Sequence, residues 1–197
     1  MTIVLASASQ ARRSLLLGAG VDFLVDAAAI DEAAVKASLL AEGAEPAHLA
    51  ETLAELKARR ISPRHSGLLV VGADQVLEQD GRCFDKPVDM AGARIQLQAL
   101  RGRKHRLLSS VVVLRDGVRL WHHTGQAMLT MREFSDSFLD NYLASIGQAA
   151  CDSVGAYQLE GRGAQLFADI AGDYFTILGL PLLPLLDFLR LQGELSA

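Results

Sequence analysis

Two adjacent arginines, Arg12 and Arg13, follow two serines, Ser7 and Ser9, in the opening stretch IVLASASQARRSLLLGAG. Hydroxyls and guanidiniums are donors suited to an anion, and arginine grips phosphate oxygens through two parallel hydrogen bonds. Where a buried strand feeds a helix, they would join the unpaired first N–H groups of that helix and the positive end of its dipole, the parts of a polyphosphate cradle. The same residues also compose an ordinary capped helix whose arginines are solvated or paired with acids. Local sequence allows both readings. Two common nucleotide fingerprints, G-x-x-x-x-G-K-[ST] and G-x-G-x-x-G, are absent.

Other residues could complete such a site. Asp74 closes the apolar run GLLVVGAD (67–74), and a strand end is where open sheets present catalytic groups. A carboxylate there could ligate Mg²⁺ or take a proton from water; equally, it could start a turn after Gly72. Glu32, in IDE, is a second metal-facing carboxylate or a helix-capping acid. Lys57 lies one turn after Leu53 at the edge of an apolar seam, where it either reaches a cleft or is solvated. Lys86, in CFDKPVD, precedes Pro87, which limits its backbone, with Asp85 beside it to neutralise it. The five histidines show no metal-ligand spacing, and no G-x-S-x-G nucleophile motif occurs.

The elements that would carry these residues follow from pattern and punctuation. Residues 2–6 read as a buried strand and Ser9–Leu17 as a helix capped by Ser9 and stopped by glycine. A second strand is expected near 21–26, and helices over 31–42 and 46–60, the latter with Leu49, Leu53 and Leu56 on one face. The run 67–74 predicts a strand covered on both faces, and Asp80-Gly81 a tight turn. Asp89 caps a helix to Leu100. Strands 105–114 and 118–131 are joined by Asp116-Gly117, a hairpin signal, and Ser135 or Ser137 starts a helix to about Ser145. Residues 155–173 read as a glycine-rich loop before one C-terminal, core-packed helix. Hairpins mixed with helices predict an α/β (α+β) fold with a mixed sheet.

With 197 residues and 50% hydrophobic composition, the chain can bury a sizeable core as one domain, 1–197, with two lobes around a cleft. A net charge of −4 argues against generic binding to nucleic acid or an anionic membrane. Cys83 and Cys151 are far apart and form no CxxC pair, which fits a reduced, cytoplasmic compartment. VLASA lacks the basic region of an export signal, and no run approaches the roughly 18 apolar residues of a membrane span.

The ordered series LASASQARRSLLLGAG, IDE, LAELKA, VVGADQV, DKPVD, LRGRKHRLLSSVVV, GAYQLEGRGAQLF and GDYFTILGLPLLPL covers most of the chain and resembles the Maf family of nucleoside triphosphate pyrophosphatases. The resemblance implies an inosine-triphosphatase-like fold of two lobes around a central cleft, commonly a homodimer. It also implies Mg²⁺- or Mn²⁺-dependent hydrolysis of a nucleoside triphosphate to the monophosphate and pyrophosphate, as nucleotide-pool house-cleaning. In that picture Asp74 accepts the proton of the attacking water and, with Glu32, holds metal. Ser7, Ser9, Arg12, Arg13, Lys57 and Lys86 bind the triphosphate.

Substrate choice in the family is similarly implied to rest on Arg12, Gln75 and Glu160. Gln75 and Glu160 resemble the branch linked to 7-methylguanosine triphosphate, whose base offers donors to a carboxylate. Tyr157 in GAY resembles the pyrimidine branch, linked to thymidine and uridine triphosphates, although Ser153 stands where that branch has lysine. Gln10 departs from the family's usual proline. Two other readings are a nucleotide-binding regulator of division without catalysis and a nucleotidyltransferase, whose usual opening is richer in glycine.

Overall fold

The structure, a computed structural model, describes residues 2–196. Its sheet is mixed and has seven strands. The path runs β2 (Phe23–Val25), β1 (Ile3–Leu5), β3 (Val70–Gln79), β5 (Lys104–Arg115), β6 (Val118–Met131) and β7 (Phe167–Ala171), with β4 (Arg82–Phe84) paired to β3. β1 runs parallel to β2 and β3, while the β3–β4 and β6–β7 pairs are antiparallel. The expected mixed α/β sheet is therefore present.

The chain forms two compact units. The first takes the residues through Gln75, Leu108–Gly125, and those from Asp173 on. Here strand alternation sorts the core onto two faces. Ile3, Leu5, Val71, Val111 and Val113 pack with Leu16 of α1 (Gln10–Gly18) and with Leu185 and Leu189 of α7 (Leu182–Leu191). Val4, Val70, Val112 and Leu114 pack on the opposite face with Ala54, Ala58 and Ile61 of α3 (Pro46–Ile61). Burying each large aliphatic side chain here contributes about 1.5–3 kcal/mol. The unit also holds α2 (Glu32–Ala41), capped by Asp31, and the short α6 (Tyr174–Ile177), capped by Asp173.

The second unit comprises Val76–Leu107 and Gln126–Gly172. It buries Ala93, Leu97 and Leu100 of α4 (Met90–Leu100) and Leu139, Tyr142 and Leu143 of α5 (Asp136–Ile146). Its β3–β4 hairpin turns through Asp80 (φ 50°) and Gly81 (φ 81°), the primed geometry that aspartate and glycine tolerate.

Three expectations need correction. β3 does not stop at Asp74 but continues to Gln79, because Val76 and Leu77 return to the core behind two polar residues. Asp74 is therefore a mid-strand residue. The loop expected over 155–173 contains β7, whose mostly exposed side chains give no apolar alternation to read. The single C-terminal helix is two, separated at Gly179 (φ 92°) and restarted after Pro181. No helix among the described residues is long and apolar enough to cross a membrane.

Candidate active site

Asp74 reaches its position through strand alternation. Val70, Gly72 and Asp74 share the face of β3 that meets α3, and Gly72 makes that meeting close. A Cβ at Gly72 would lie 2.0 Å from the Ala54 carbonyl oxygen and 2.9 Å from the Ala58 Cβ. Only glycine lets the helix settle this near the strand. One consequence is that Lys57, buried among the apolar residues of α3, sets its Nζ 2.6 Å from Asp74 Oδ1. The same Nζ lies 2.9 Å from Glu32 Oε1, at the first turn of α2. Asp74 and Lys57 are nearly covered (side chains 7% and 9% exposed), whereas Glu32 is 43% exposed.

The carboxylate of Asp74 is thus divided. Oδ1 accepts from the ammonium, while Oδ2 is buried and has no hydrogen-bond partner. A buried carboxylate oxygen left unpaired costs free energy, so it marks a place where a proton, a water or a cation belongs. Among the described residues, no three His, Cys, Asp or Glu side chains gather as a metal cage. Asp74 Oδ2 and Glu32 are nevertheless two hard oxygen donors. They suit a Mg²⁺-like ion that takes its other ligands from water and phosphate.

The opening stretch forms the strand–loop–helix expected of it. Ser9 caps α1, accepting from the Arg12 amide at 3.4 Å, and no acid occupies the first turn. Ser7 is buried, and its Oγ accepts from the Ser9 amide. Arg12 behaves unlike a solvated arginine. Three of its five N–H groups go to the protein: Nε to the Gly179 carbonyl (2.8 Å), and Nη1 to Ser7 Oγ (3.0 Å) and the Ala73 carbonyl (2.9 Å). Burial pushes its pKa down, opposed by the charges of Asp74 and Glu32; a guanidinium stays charged regardless. Arg13 is half-buried, and its Nε is a covered donor with no partner.

Ser7, Ser9, Arg12, Arg13, Glu32, Lys57, Asp74 and Gln75 all belong to the first unit, and contacts link Ser7 with Arg12 and Lys57 with both acids. Lys86 and Glu160 belong to the second. Lys86 is exposed between β4 and α4, and Glu160 is exposed in the turn after Tyr157. Tyr157 is buried, with His105 Nε2 2.8 Å from its hydroxyl. The sequence reading missed Gly72, Ser109, Thr176 and Gly179. The glycine inside VVGAD was the available signal for a close backbone approach; two serines inside the apolar strand SSVVV signalled buried bonding.

Fold and site together define a mixed α/β protein with a carboxylate–lysine–carboxylate centre, covered at Asp74 and Lys57 and open at Glu32, and a strand-to-helix turn carrying two serines and two arginines. A family model described as Maf-like protein matches residues 2–192, and the chain belongs to the Maf family. It is 62% identical over 192 residues to a nucleoside triphosphate pyrophosphatase of Paramagnetospirillum magneticum, covering 98% of this chain and 99% of the relative. A protein of the same name from Granulibacter bethesdensis is 54% identical, with 100% of both chains covered. A 7-methyl-GTP pyrophosphatase of Rhizobium meliloti is 50% identical, covering 99% and 98%. Among solved structures, a nucleoside-triphosphatase / dITP/XTP pyrophosphatase of Mycobacterium abscessus has a TM-score of 0.41 at 19% identity. It covers 68% of this chain and 76% of that one, too distant a likeness to bear on the chemistry.

Proposed function

We propose that this protein hydrolyses a nucleoside triphosphate between its α- and β-phosphates, releasing the monophosphate and pyrophosphate. The observation that carries the reading is the divided carboxylate of Asp74, with Oδ1 fixed by Lys57 and Oδ2 buried and unpartnered. Relatives named nucleoside triphosphate pyrophosphatase over nearly the whole chain support it.

The chemistry needs positioning and charge stabilisation more than a covalent nucleophile. Asp74 Oδ2 takes one proton from a water whose oxygen bonds to the α-phosphorus, and the bond to the bridging oxygen breaks as pyrophosphate leaves. Lys57 orients the carboxylate through Oδ1; its third N–H is available to a phosphate oxygen. Arg13, Ser9 and the first amides of α1 bind the phosphates, while Arg12 acts mainly by fixing the cradle. Lys86 is a further phosphate-binding cation that the family resemblance implies. Glu32 and Asp74 would hold a Mg²⁺ or Mn²⁺ ion, which when bound offsets the charge of the phosphates and of the leaving group.

For the base, the reading is 7-methylguanine. Glu160 offers an exposed carboxylate to the donors of that cationic base, and relatives named 7-methyl-GTP pyrophosphatase are 50% identical. Such an enzyme works in the cytoplasm as a homodimer, as its family resemblance implies. Pyrophosphate release from 7-methylguanosine, guanosine, uridine, thymidine and cytidine triphosphates, with Mg²⁺ or with chelator, tests this. Release should be highest for the methylated base and vanish with chelator. A preference for uridine or thymidine would favour the pyrimidine branch that Tyr157 resembles.

A further inference from the structure

Gln96 of α4 is half-buried at the edge of the face that Ala93, Leu97 and Leu100 bury, and both ends of its carboxamide are used. Nε2 donates to the Asp85 carbonyl at 2.6 Å, and Oε1 accepts from the Gly155 amide at 3.1 Å. A carbonyl only accepts and a backbone amide only donates, so a carboxamide in this one orientation satisfies both. The first bond holds the segment between β4 and α4, one residue before Lys86. That segment is pinned again at its far end, where Pro87 is buried and Asp89 Oδ1 accepts from the Gly92 amide at 2.7 Å. The second bond holds the turn that leads to Glu160.

That turn needs support. Gly155 (φ 81°) and Ala156 (φ 60°) stand in succession in the left-handed region, where alanine is strained. A Cβ at Gly155 would lie 2.7 Å from Leu77 Cδ1, so only glycine fits there. Ser153 Oγ donates to the Tyr157 carbonyl at 2.6 Å and closes the turn from within, while Gln96 fixes it to α4. We propose that Gln96 is a positioning residue that couples two substrate contacts, the phosphate-binding Lys86 and the base-reading Glu160, through the peptide groups of Asp85 and Gly155. This rests on the proposed function, in which those two residues touch the triphosphate.

The two bonds can be cut separately. Gln96→Glu keeps an acceptor for the Gly155 amide, but as a carboxylate it has no donor for the Asp85 carbonyl; Gln96→Leu loses both. Steady-state kinetics on the five triphosphates would compare them with Gln98→Leu, an exposed position on the same helix. Gln96→Glu should raise KM about fivefold for every triphosphate and keep the order of bases. Gln96→Leu should raise KM as much and also compress the spread of kcat/KM among bases about fivefold, the usual worth of one hydrogen bond. In both, kcat should change less than KM, as when binding alone is weakened. Two variants that match Gln98→Leu would overturn the proposal. So would a loss of base preference equal in both, or a fall in kcat with KM unchanged, the mark of a merely structural residue.

Amide measurements keep the proposal separate from the activity. The Gly155 amide should exchange about tenfold faster in Gln96→Leu, as local opening becomes easier, and stay protected in Gln96→Glu. The Lys86 amide nitrogen, in the same peptide group as the Asp85 carbonyl, should shift in both. Unchanged Gly155 exchange in Gln96→Leu would dismiss the coupling even in an active enzyme. If the wild type hydrolyses nothing, the proposed function fails, and the amide measurements alone then decide whether Gln96 joins the two segments.

Discussion

Lys57 decides what Asp74 can do. Its ammonium bridges two carboxylates at 2.6 and 2.9 Å, and in doing so leaves one oxygen of Asp74 uncommitted. Removing one partner of a covered ion pair strands the other, so Lys57→Met should lower folding stability at pH 7 by about 3 kcal/mol, read from urea unfolding. A loss under about 1 kcal/mol would mean that the pair is effectively solvated. The residue types of this centre were legible in the sequence, since Glu32, Lys57 and Asp74 each stood at a plausible position. Their convergence was not, because each pairing depends on how α2 and β3 meet α3, consecutive elements whose packing no local pattern states. Arg12 shows the same limit from the other side. An arginine in a first helical turn can be solvated or bind an anion, and its bonds to the Ala73 and Gly179 carbonyls, far down the chain, reveal that it is buried.

At the scale of elements, the packing of α3 on β3 does the positioning. Gly72→Ala would set a methyl 2.0 Å from the Ala54 carbonyl oxygen, so helix or strand must move. Overpacking of this kind costs roughly 1–3 kcal/mol, and the displaced Lys57 should lower kcat while the protein still folds. Urea midpoints and initial rates on one preparation check both; full activity with unchanged stability would show that the helix has slack. Helices and hairpins were readable here because their punctuation is local. Ser9, Asp89 and Ser135 cap helices as expected, and Asp116 (φ 50°) with Gly117 (φ 78°) turns the β5–β6 hairpin. β7 escaped because an exposed five-residue strand is held by its partner β6 rather than by its own pattern.

For the whole molecule, acid is the condition that exposes a stored cost. His105, 1% exposed in the second unit, has its pKa pushed by burial from 6.5 down to about 4. The unfolded chain therefore binds a proton between those values when the folded one does not. Stability is full above about pH 6.5 and falls toward pH 4, by about 3 kcal/mol in all for this group. His105→Gln, which retains a donor for Tyr157, should flatten that part of the profile when urea unfolding at pH 7 and pH 4.5 is compared. An unchanged slope would assign the acid sensitivity to other groups.

The central claim is that Asp74 drives hydrolysis of a nucleoside triphosphate, and one product assay tests it most directly. Wild type and Asp74→Asn, each with Mg²⁺ and 7-methylguanosine triphosphate, would be followed by separating monophosphate, diphosphate, pyrophosphate and orthophosphate. The wild type should yield monophosphate and pyrophosphate in equal amounts, and the variant should be slower by about 10²- to 10⁴-fold, the usual share of a general base. Diphosphate with orthophosphate as products, or a variant as fast as the wild type, would contradict the account.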